Sequence, residues 1–491
     1  MFLTELIKGI YTKPLAENFR KLEVSRLSCD SREEQRNGLF VALAGSKFNG
    51  EDFIKDAIEK GAMVIAKQGE SREFKQFTIP SDICVLDVED PKLFLHSIGP
   101  RFYGNPSNKI RSIAVTGTNG KTTITYLIES ILHAMSRRCG VIGTINFRIG
   151  SGKIFPSKLT TPGFLDMQRN LAQLVTSKVE YCVMEASAHA LDQGRLEGVN
   201  FTAAIFTNLT RDHLDYFKDM DNYFRAKAIL FKGLSPSSAS ILNMDDEYGK
   251  MLLSMSKGKI TTYAITYPAD VRAQNIKYSL NGCQFDIISP KGEAKIRSRF
   301  IGKHNVYNIL AAFAWAVSQN FSLELTSQAI ENLVHVPGRL EPVLNNKGIF
   351  IFIDYAHTDD GLFNVLTALR AVSSEKIILV FGCGGDRDRT KRPKMAQAAC
   401  MLADHSIVTT DNSRSEDPKA IIDEVITGFT KNNYEVCVDR KEAIGRALKL
   451  AKRDQIVLIA GKGHEDYQII KDRTIPFNER EIIKECLLSQ K

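Results

Sequence analysis

Seven residues carry the strongest chemical signal in the chain: Gly117-Thr118-Asn119-Gly120-Lys121-Thr122-Thr123. The apolar segment Ile113 to Thr116 before them reads as a strand, and a helix-like stretch follows. Glycines in such a loop let backbone N–H groups curl around phosphates. Lys121 would reach the β- and γ-phosphates of a nucleotide, and Thr122 would meet Mg²⁺. The helix N-terminus adds a positive dipole. Two residues separate the glycines, not the usual four of a phosphate loop. A bare glycine turn accounts for the glycines but not for strand, loop, lysine and helix in that order.

Three further residues matter beside this loop. Glu185 ends the apolar run Tyr181 to Met184, and His213 lies in Thr210-Arg211-Asp212-His213-Leu214-Asp215. Each alone reads as an ordinary structural residue. Near one sheet edge they could together bind a divalent cation. Lys227 lies in the helix-like stretch Tyr223 to Phe231, where composition alone reads it as a surface lysine. Late in the chain, Cys383-Gly384-Gly385-Asp386-Arg387-Asp388 and Asp411-Asn412-Ser413-Arg414-Ser415-Glu416 both follow strands. Arg387 and Arg414 could each fork onto a carboxylate. Glu465, in Gly461-Lys462-Gly463-His464-Glu465, could hold an ammonium. Two arginines and a glutamate around one cleft suit a zwitterionic amino acid. Any one loop alone is more simply a solvated surface.

These residues need elements that end in one place. Leu39 to Leu43 and Met63 to Ala66 read as strands, and Asp52 to Lys60 as a helix. A turn-rich segment at Tyr103 to Asn108 marks a boundary. From there, apolar strands end one after another in glycine-rich or polar clusters, with amphipathic segments between. Ala203 to Phe206 ends in Thr207-Asn208. A second break falls at Pro337-Gly338-Arg339, after which Ile349 to Ile353, Ile377 to Phe381, Ser406 to Thr410 and Ile456 to Ala460 resume the alternation. The expectation is an α/β protein of three domains: 1–108, 109–337 with a mostly parallel sheet of P-loop type, and 338–491 with a Rossmann-like sheet. Ligands of such sheets sit outside the carboxyl ends of the strands.

Composition narrows the function classes. The 491 residues are 43% hydrophobic and 25% charged, with a net charge of +8 and no dense Lys/Arg run, which argues against nucleic-acid binding. Nine scattered cysteines form no Cys-x-x-Cys pair, so neither a disulfide framework nor a zinc site is expected. Glu5 and Lys8 interrupt the first apolar stretch, and no run approaches the roughly 20 apolar residues of a membrane helix. A cytoplasmic, monomeric protein without membrane insertion is expected.

Taken together the motifs resemble the Mur ligase family along nearly the whole chain. The resemblance rests on the phosphate loop and on Met184-Glu185-Ala186-Ser187-Ala188-His189-Ala190-Leu191 with Gln193 and Arg195. It continues through Thr207-Asn208-Leu209, Asp212-His213-Leu214-Asp215 and Tyr223-Phe224-Arg225-Ala226-Lys227. It ends with His304-Asn305 and Asn308, Pro337-Gly338-Arg339 and Asp354-Tyr355-Ala356-His357. The resemblance implies a uridine-nucleotide-binding first domain, a central ATPase domain and a last domain that takes the amino acid. It implies a ligase that phosphorylates a glutamate γ-carboxylate with ATP and lets an amine attack the acyl-phosphate. Lys121 and Thr122 would hold phosphates and Mg²⁺. Glu185, His213 and a carbamylated Lys227 would also ligate the metal. Asn305, Arg339 and Asp354 match positions near the nucleotide. Ser31, Thr160, Thr161, Ser187, Gln193 and Arg195 match residues that hold UDP-N-acetylmuramoyl-L-alanyl-D-glutamate.

Members that add meso-diaminopimelate carry Asp-Asn-Pro-Arg, and lysine-adding members lack its arginine. Here Asp411-Asn412-Ser413-Arg414 keeps the arginine, and Arg387, Gly461 and Glu465 match the remaining diaminopimelate contacts. Ser413 in place of proline could loosen the loop, and Ala188 replaces a common serine. The competing readings are a lysine-adding relative, a folylpolyglutamate synthase-like ligase and a nucleotide-driven switch protein. The switch would need no second sheet with a zwitterion-binding cluster.

Overall fold

The first hundred residues pair their short strands in chain order. In the computed structural model, which describes residues 1–45, 48–69, 78–150 and 152–489, β1 (Arg26–Ser28), β2 (Gly38–Val41), β3 (Ala62–Gln68) and β4 (Cys84–Val88) form a four-stranded parallel sheet. Every residue of β2 is buried, as expected of a strand covered on both faces. The helix Pro91–Phe102 begins where Asp90 accepts the N–H groups of Lys92 and Leu93, with proline in its first turn. Its Phe94, Leu95 and Ile98 share a core with Phe164 and Leu165 from beyond the boundary.

The central sheet holds eleven strands: β5 (Arg111–Thr116), β6 (Cys139–Ile142), β7 (Asn146–Ile149), β8 (Lys153–Pro156), β9 (Tyr181–Glu185), β10 (Phe201–Phe206), β11 (Ala239–Asn243), β12 (Lys259–Ala264), β13 (Val271–Ser279), β14 (Gly282–Ser289) and β15 (Gly292–Ser298). Their order is β15-β14-β13-β12-β11-β10-β5-β9-β6-β7-β8. The span from β13 to β6 is parallel. Both flanks are antiparallel, an extension that the strand–helix alternation did not anticipate. Successive side chains of β5 go to opposite faces. Ile113 and Val115 pack with helices Lys121–Ala134 and Lys303–Ser318. Ala114 packs with helices Phe164–Thr176 and Met220–Lys232. The Lys303–Ser318 helix is apolar nearly all round, with Trp315 fully buried, and so runs through a core.

The last sheet contains β16 (Glu341–Pro342), β17 (Phe350–Asp354), β18 (Ile377–Phe381), β19 (His405–Val408), β20 (Tyr434–Val436) and β21 (Ile456–Ala460). The order is β16-β17-β21-β18-β19-β20, parallel except for β16. A hairpin of β22 (Tyr467–Ile470) and β23 (Arg473–Pro476) follows. Among the described residues no helix is long and apolar enough to cross a membrane. The polar clusters flagged in the sequence sit at the carboxyl ends of β5, β9, β10, β17, β18, β19 and β21, where ligands of parallel sheets bind.

Candidate functional site

The phosphate loop is shaped by close approach. Gly117 has φ +149° and Gly120 φ +89°. A Cβ would overlap Thr207 Oγ1 at the first and Asn308 Oδ1 at the second, so both must be glycine. Thr118 N–H donates to Asn208 O at 2.9 Å, and Asn119 N–H donates to Asn208 Oδ1 at 3.0 Å. Lys121 Nζ turns back onto its own loop, donating to Gly117 O at 2.9 Å and Thr118 O at 2.8 Å. Thr123 is buried in the first helical turn.

Glu185 gathers the neighbouring hydroxyls. Its Oε1 accepts from Thr122 Oγ1 at 3.0 Å and Thr144 N–H at 2.8 Å, and its Oε2 accepts from Thr144 Oγ1 at 2.9 Å. Thr144 Oγ1 lies 3.1 Å from Thr160 Oγ1. The backbone oxygen of Glu185 accepts from Thr161 Oγ1 at 2.8 Å, which also takes the Ser187 N–H at 3.0 Å. Thr161 O accepts from Arg195 Nη1 at 3.1 Å, and Gln193 Oε1 accepts from Arg195 Nε at 2.9 Å. Gln193 and Arg195 then line a cavity of about 970 Å³ against the first domain, shared with Ser28, Cys29 and Asp30. Ser31 lies beside this cavity but not on its wall. Its side chain is buried and its carbonyl accepts from Lys60 Nζ at 2.7 Å.

Lys227 is not a surface lysine. It is 1% exposed, and its Nζ donates to Gly117 O at 3.0 Å, the same carbonyl that Lys121 holds. Burial, then repulsion from Lys121, pushes its amine well below the ordinary lysine range. His213 adopts φ +55° and packs edge-on against His189, with ring centroids 4.7 Å apart. Burial pushes its imidazole below the usual histidine value. His213 and Glu185 line one cavity of about 550 Å³, together with the phosphate loop.

The last domain closes that cavity. Arg339 Nη2 donates to Thr122 Oγ1 at 3.3 Å. Asp354 is buried, accepting from Leu340 N–H at 2.6 Å and Ala356 N–H at 2.8 Å. Asn305 Nδ2 donates to Ile301 O at 2.9 Å, leaving its Oδ1 to Asn308 Nδ2 at 3.0 Å. Asp360 Oδ2 accepts from both Asn119 Nδ2 and Thr210 Oγ1 at 3.2 Å, clasping the two domains across the phosphate loop. Burial lowers His304, on the cavity wall, to about 4. Burial, with help from Arg339, does the same to His464. From pH 6.5 down to 4 the unfolded rings take up protons that the folded rings refuse, so stability is lost as pH falls. Thermal melts are expected to show Tm dropping across this range, and dropping less in a His304→Asn/His464→Asn variant. An equal drop in both would contradict the assignment.

A third cluster forms behind β19 and β21. Gly461 has φ +118°, and a Cβ there would press on Asp411 Oδ2. Asn412 Nδ2 donates to Glu465 Oε2 at 2.9 Å. Arg414 has φ +50°, and its Nη1 donates to Gly385 O at 2.7 Å. Arg414 and Arg387 both approach Gly384, Arg387 from the solvent side. Two residues of this loop are buried. Ser413 is fully buried, and next to it Arg414 N–H donates to Ile469 O while Arg414 O accepts from Lys471 N–H. Asp411 is buried, accepting from Asn412 N–H at 2.5 Å and facing Lys462 and Arg440. It therefore braces the loop from beneath.

Comparison with known proteins gives three matched segments. Residues 23–103 match the Mur ligase family catalytic domain, 115–316 the Mur ligase middle domain, and 338–463 the Mur ligase glutamate ligase domain. A UDP-N-acetylmuramoyl-L-alanyl-D-glutamate–2,6-diaminopimelate ligase of Clostridium botulinum is 40% identical over 489 residues, 99% of each chain. The chain belongs to the Mur ligase family. It is an ATP-dependent ligase that forms amide bonds. Another such relative, from Clostridium acetobutylicum, is 42% identical over 95% of each chain. A solved structure of the same described ligase superposes with TM-score 0.71 at 31% identity, covering 100% of this chain and 99% of its own.

Several residues of this Mur ligase escaped sequence reasoning. Thr144 comes from the connection between β6 and β7, and no motif marks it. Asp360 is one of two adjacent acids opening a helix, and only the packed domains show that it crosses to Asn119. Lys462 reads as a solvated loop lysine but is fully buried.

Proposed function

We propose that the chain joins meso-2,6-diaminopimelate to the glutamate of UDP-N-acetylmuramoyl-L-alanyl-D-glutamate, converting ATP to ADP and phosphate. Glu185 carries the reading. One residue bonds the phosphate loop through Thr122 and the strip toward the first-domain cavity through Thr144 and Thr161. A nucleotide and a nucleotide-linked carboxylate would thus meet at one residue. The proposed domains are 1–108, 109–337 and 338–491.

A glutamate γ-carboxylate oxygen attacks the γ-phosphorus of ATP, and the bond to ADP breaks. The amine nitrogen then attacks the acyl carbon, the carbon–oxygen bond to phosphate breaks, and the ammonium proton leaves to solvent. Lys121 and the loop N–H groups bind the phosphates and Arg339 closes over them. Asn305 and Asp354 flank the nucleotide. Thr160, Thr161, Ser187, Gln193 and Arg195 orient the acceptor carboxylate, with Ser31 backing the uridine side. Arg387 and Arg414 face the distal carboxylate of diaminopimelate. Glu465 and Gly461 face its ammonium, with Asn412 bonded to Glu465 and Asp411 beneath them.

The donor set suits a magnesium ion, with a carboxylate and a hydroxyl oxygen meeting beside the phosphate loop. Thr122, Glu185 and His213 line the cavity at the phosphate loop, and Lys227 Nζ reaches that loop at Gly117 O, so these four, with Lys227 carbamylated, would hold the ion. Lys227 suits that change. Burial, then repulsion from Lys121, shifts its amine toward the neutral form, the one that adds CO₂, and a carbamate beside Lys121 would replace repulsion by attraction. Bound there, Mg²⁺ would neutralise charge on the transferring phosphoryl group.

Both cavities and the third cluster come from one chain, in keeping with a monomer. The cytoplasm is the proposed location, where ATP is available and nine free thiols stay reduced. Arg414→Ala is expected to raise the KM for diaminopimelate about 10- to 100-fold, the loss of charge-assisted hydrogen bonds. The KM for ATP should hold within about twofold. Unchanged use of diaminopimelate would overturn the pocket.

A further inference from the structure

Two buried cations lie beneath the third cluster, and they differ in what they touch. Arg440 is paired with Glu479 and donates to the carbonyls of Thr410 and Ala460, a set that braces the sheet. Lys462, with no side-chain exposure, instead touches side chains assigned to the amino-acid cluster. Its Nζ donates to Asn412 Oδ1 at 3.0 Å and Glu465 Oε2 at 3.2 Å, with Asp411 Oδ1 at 3.8 Å. Burying an ammonium is costly unless it is paired.

The hydrogen bonds have a direction. Asn412 Oδ1 faces Lys462 Nζ and the Ile469 N–H at 2.9 Å, and both of these can only donate. The amide oxygen must therefore point at them, and Nδ2 must point at Glu465 Oε2. Glu465 Oε2 receives two donors, while Glu465 Oε1 takes none from the described residues. Asp411 lies under the same ammonium: burial raises its carboxyl, but Lys462 and Arg440 together hold it below the usual range.

We propose that Lys462 is a positioning residue of the amino-acid subsite: it fixes the amide of Asn412 and holds one oxygen of Glu465, so that the other is aimed at the ammonium of the incoming amino acid. The inference rests on the proposed function. It assigns the subsite's preference for a distal ammonium to a lysine that the substrate never meets.

The test is steady-state kinetics of full-length Lys462→Met with meso-diaminopimelate. KM for the amino acid should rise about 10- to 100-fold. The kcat should fall less than about threefold, and KM for ATP and for the nucleotide precursor should stay within about twofold. A structural brace would instead lower kcat and Tm and move all three KM values together. Glu465→Gln and the double variant keep the test decisive if the single variant folds poorly. With Glu465 neutral there is no carboxylate to hold, so Lys462→Met should add less than about threefold. Independent, multiplying effects would overturn the inference. A wild-type KM in Lys462→Met would overturn it while leaving the function intact. A wild type that ignores diaminopimelate would overturn both.

Discussion

Lys121→Ala is expected to lower kcat by at least about 10³-fold, the order associated with losing a cation on a transferring phosphoryl group. Lys121 is the cation built into the first turn after the loop, and its Nζ is already within the loop at Gly117 and Thr118. Its own amine is lowered by burial, while Glu185 and Asp212 pull the other way. Arriving phosphates would exchange two carbonyl partners for anionic oxygens, and the shift toward the charged form would favour their binding. The fold should survive, because the glycines and Thr207 shape the loop independently of this side chain. Phosphate release by the variant, with Tm as the control, checks this. Turnover within tenfold of wild type at unchanged Tm would remove Lys121 from the mechanism.

Lys227→Met should do two opposite things. It should abolish turnover, since the variant can form no carbamate. It should also stabilise the ligand-free protein. The Lys227 amine is depressed in the folded state, so folding carries a penalty wherever the unfolded lysine is protonated and the folded one resists. That penalty is full below the folded value and fades as pH rises toward 10.5. Methionine fills similar space without charge. Removing that penalty is worth about 1 kcal/mol or more, or a few degrees of Tm. Melts in bicarbonate-free buffer at pH 7 test this. The gain should shrink at higher pH and in added bicarbonate. A destabilised variant would mean that the bond to Gly117 O outweighs the repulsion from Lys121. Stability yielded at a working lysine is a familiar exchange.

The parts legible in the sequence share one property: local order predicts them. The phosphate loop was readable because glycine, lysine and threonine follow a strand and open a helix within seven residues. Glu185 was readable as a polar residue ending an apolar strand. Strands β17, β18 and β21 were readable as short apolar runs buried on both faces. The antiparallel flanks were not, because β15 contributes only Ile296 and Ser298 to the interior and otherwise looks like polar loop. Lys227 reads as a surface lysine from composition and the loop of Lys462 as solvated surface, since burial depends on what packs over them. Arg339 reaching Thr122, and Asp360 reaching Asn119, join residues far apart in the chain, and no local pattern encodes a meeting between domains.

The most direct measurement of the central claim is phosphate release by the purified protein with ATP, Mg²⁺ and UDP-N-acetylmuramoyl-L-alanyl-D-glutamate, comparing meso-diaminopimelate with L-lysine. Release that requires the precursor and diaminopimelate together, with lysine inert, is the predicted result. Release with lysine would keep the ligase and contradict the role of Arg414. Release without any amino acid or precursor would contradict the coupled reaction itself.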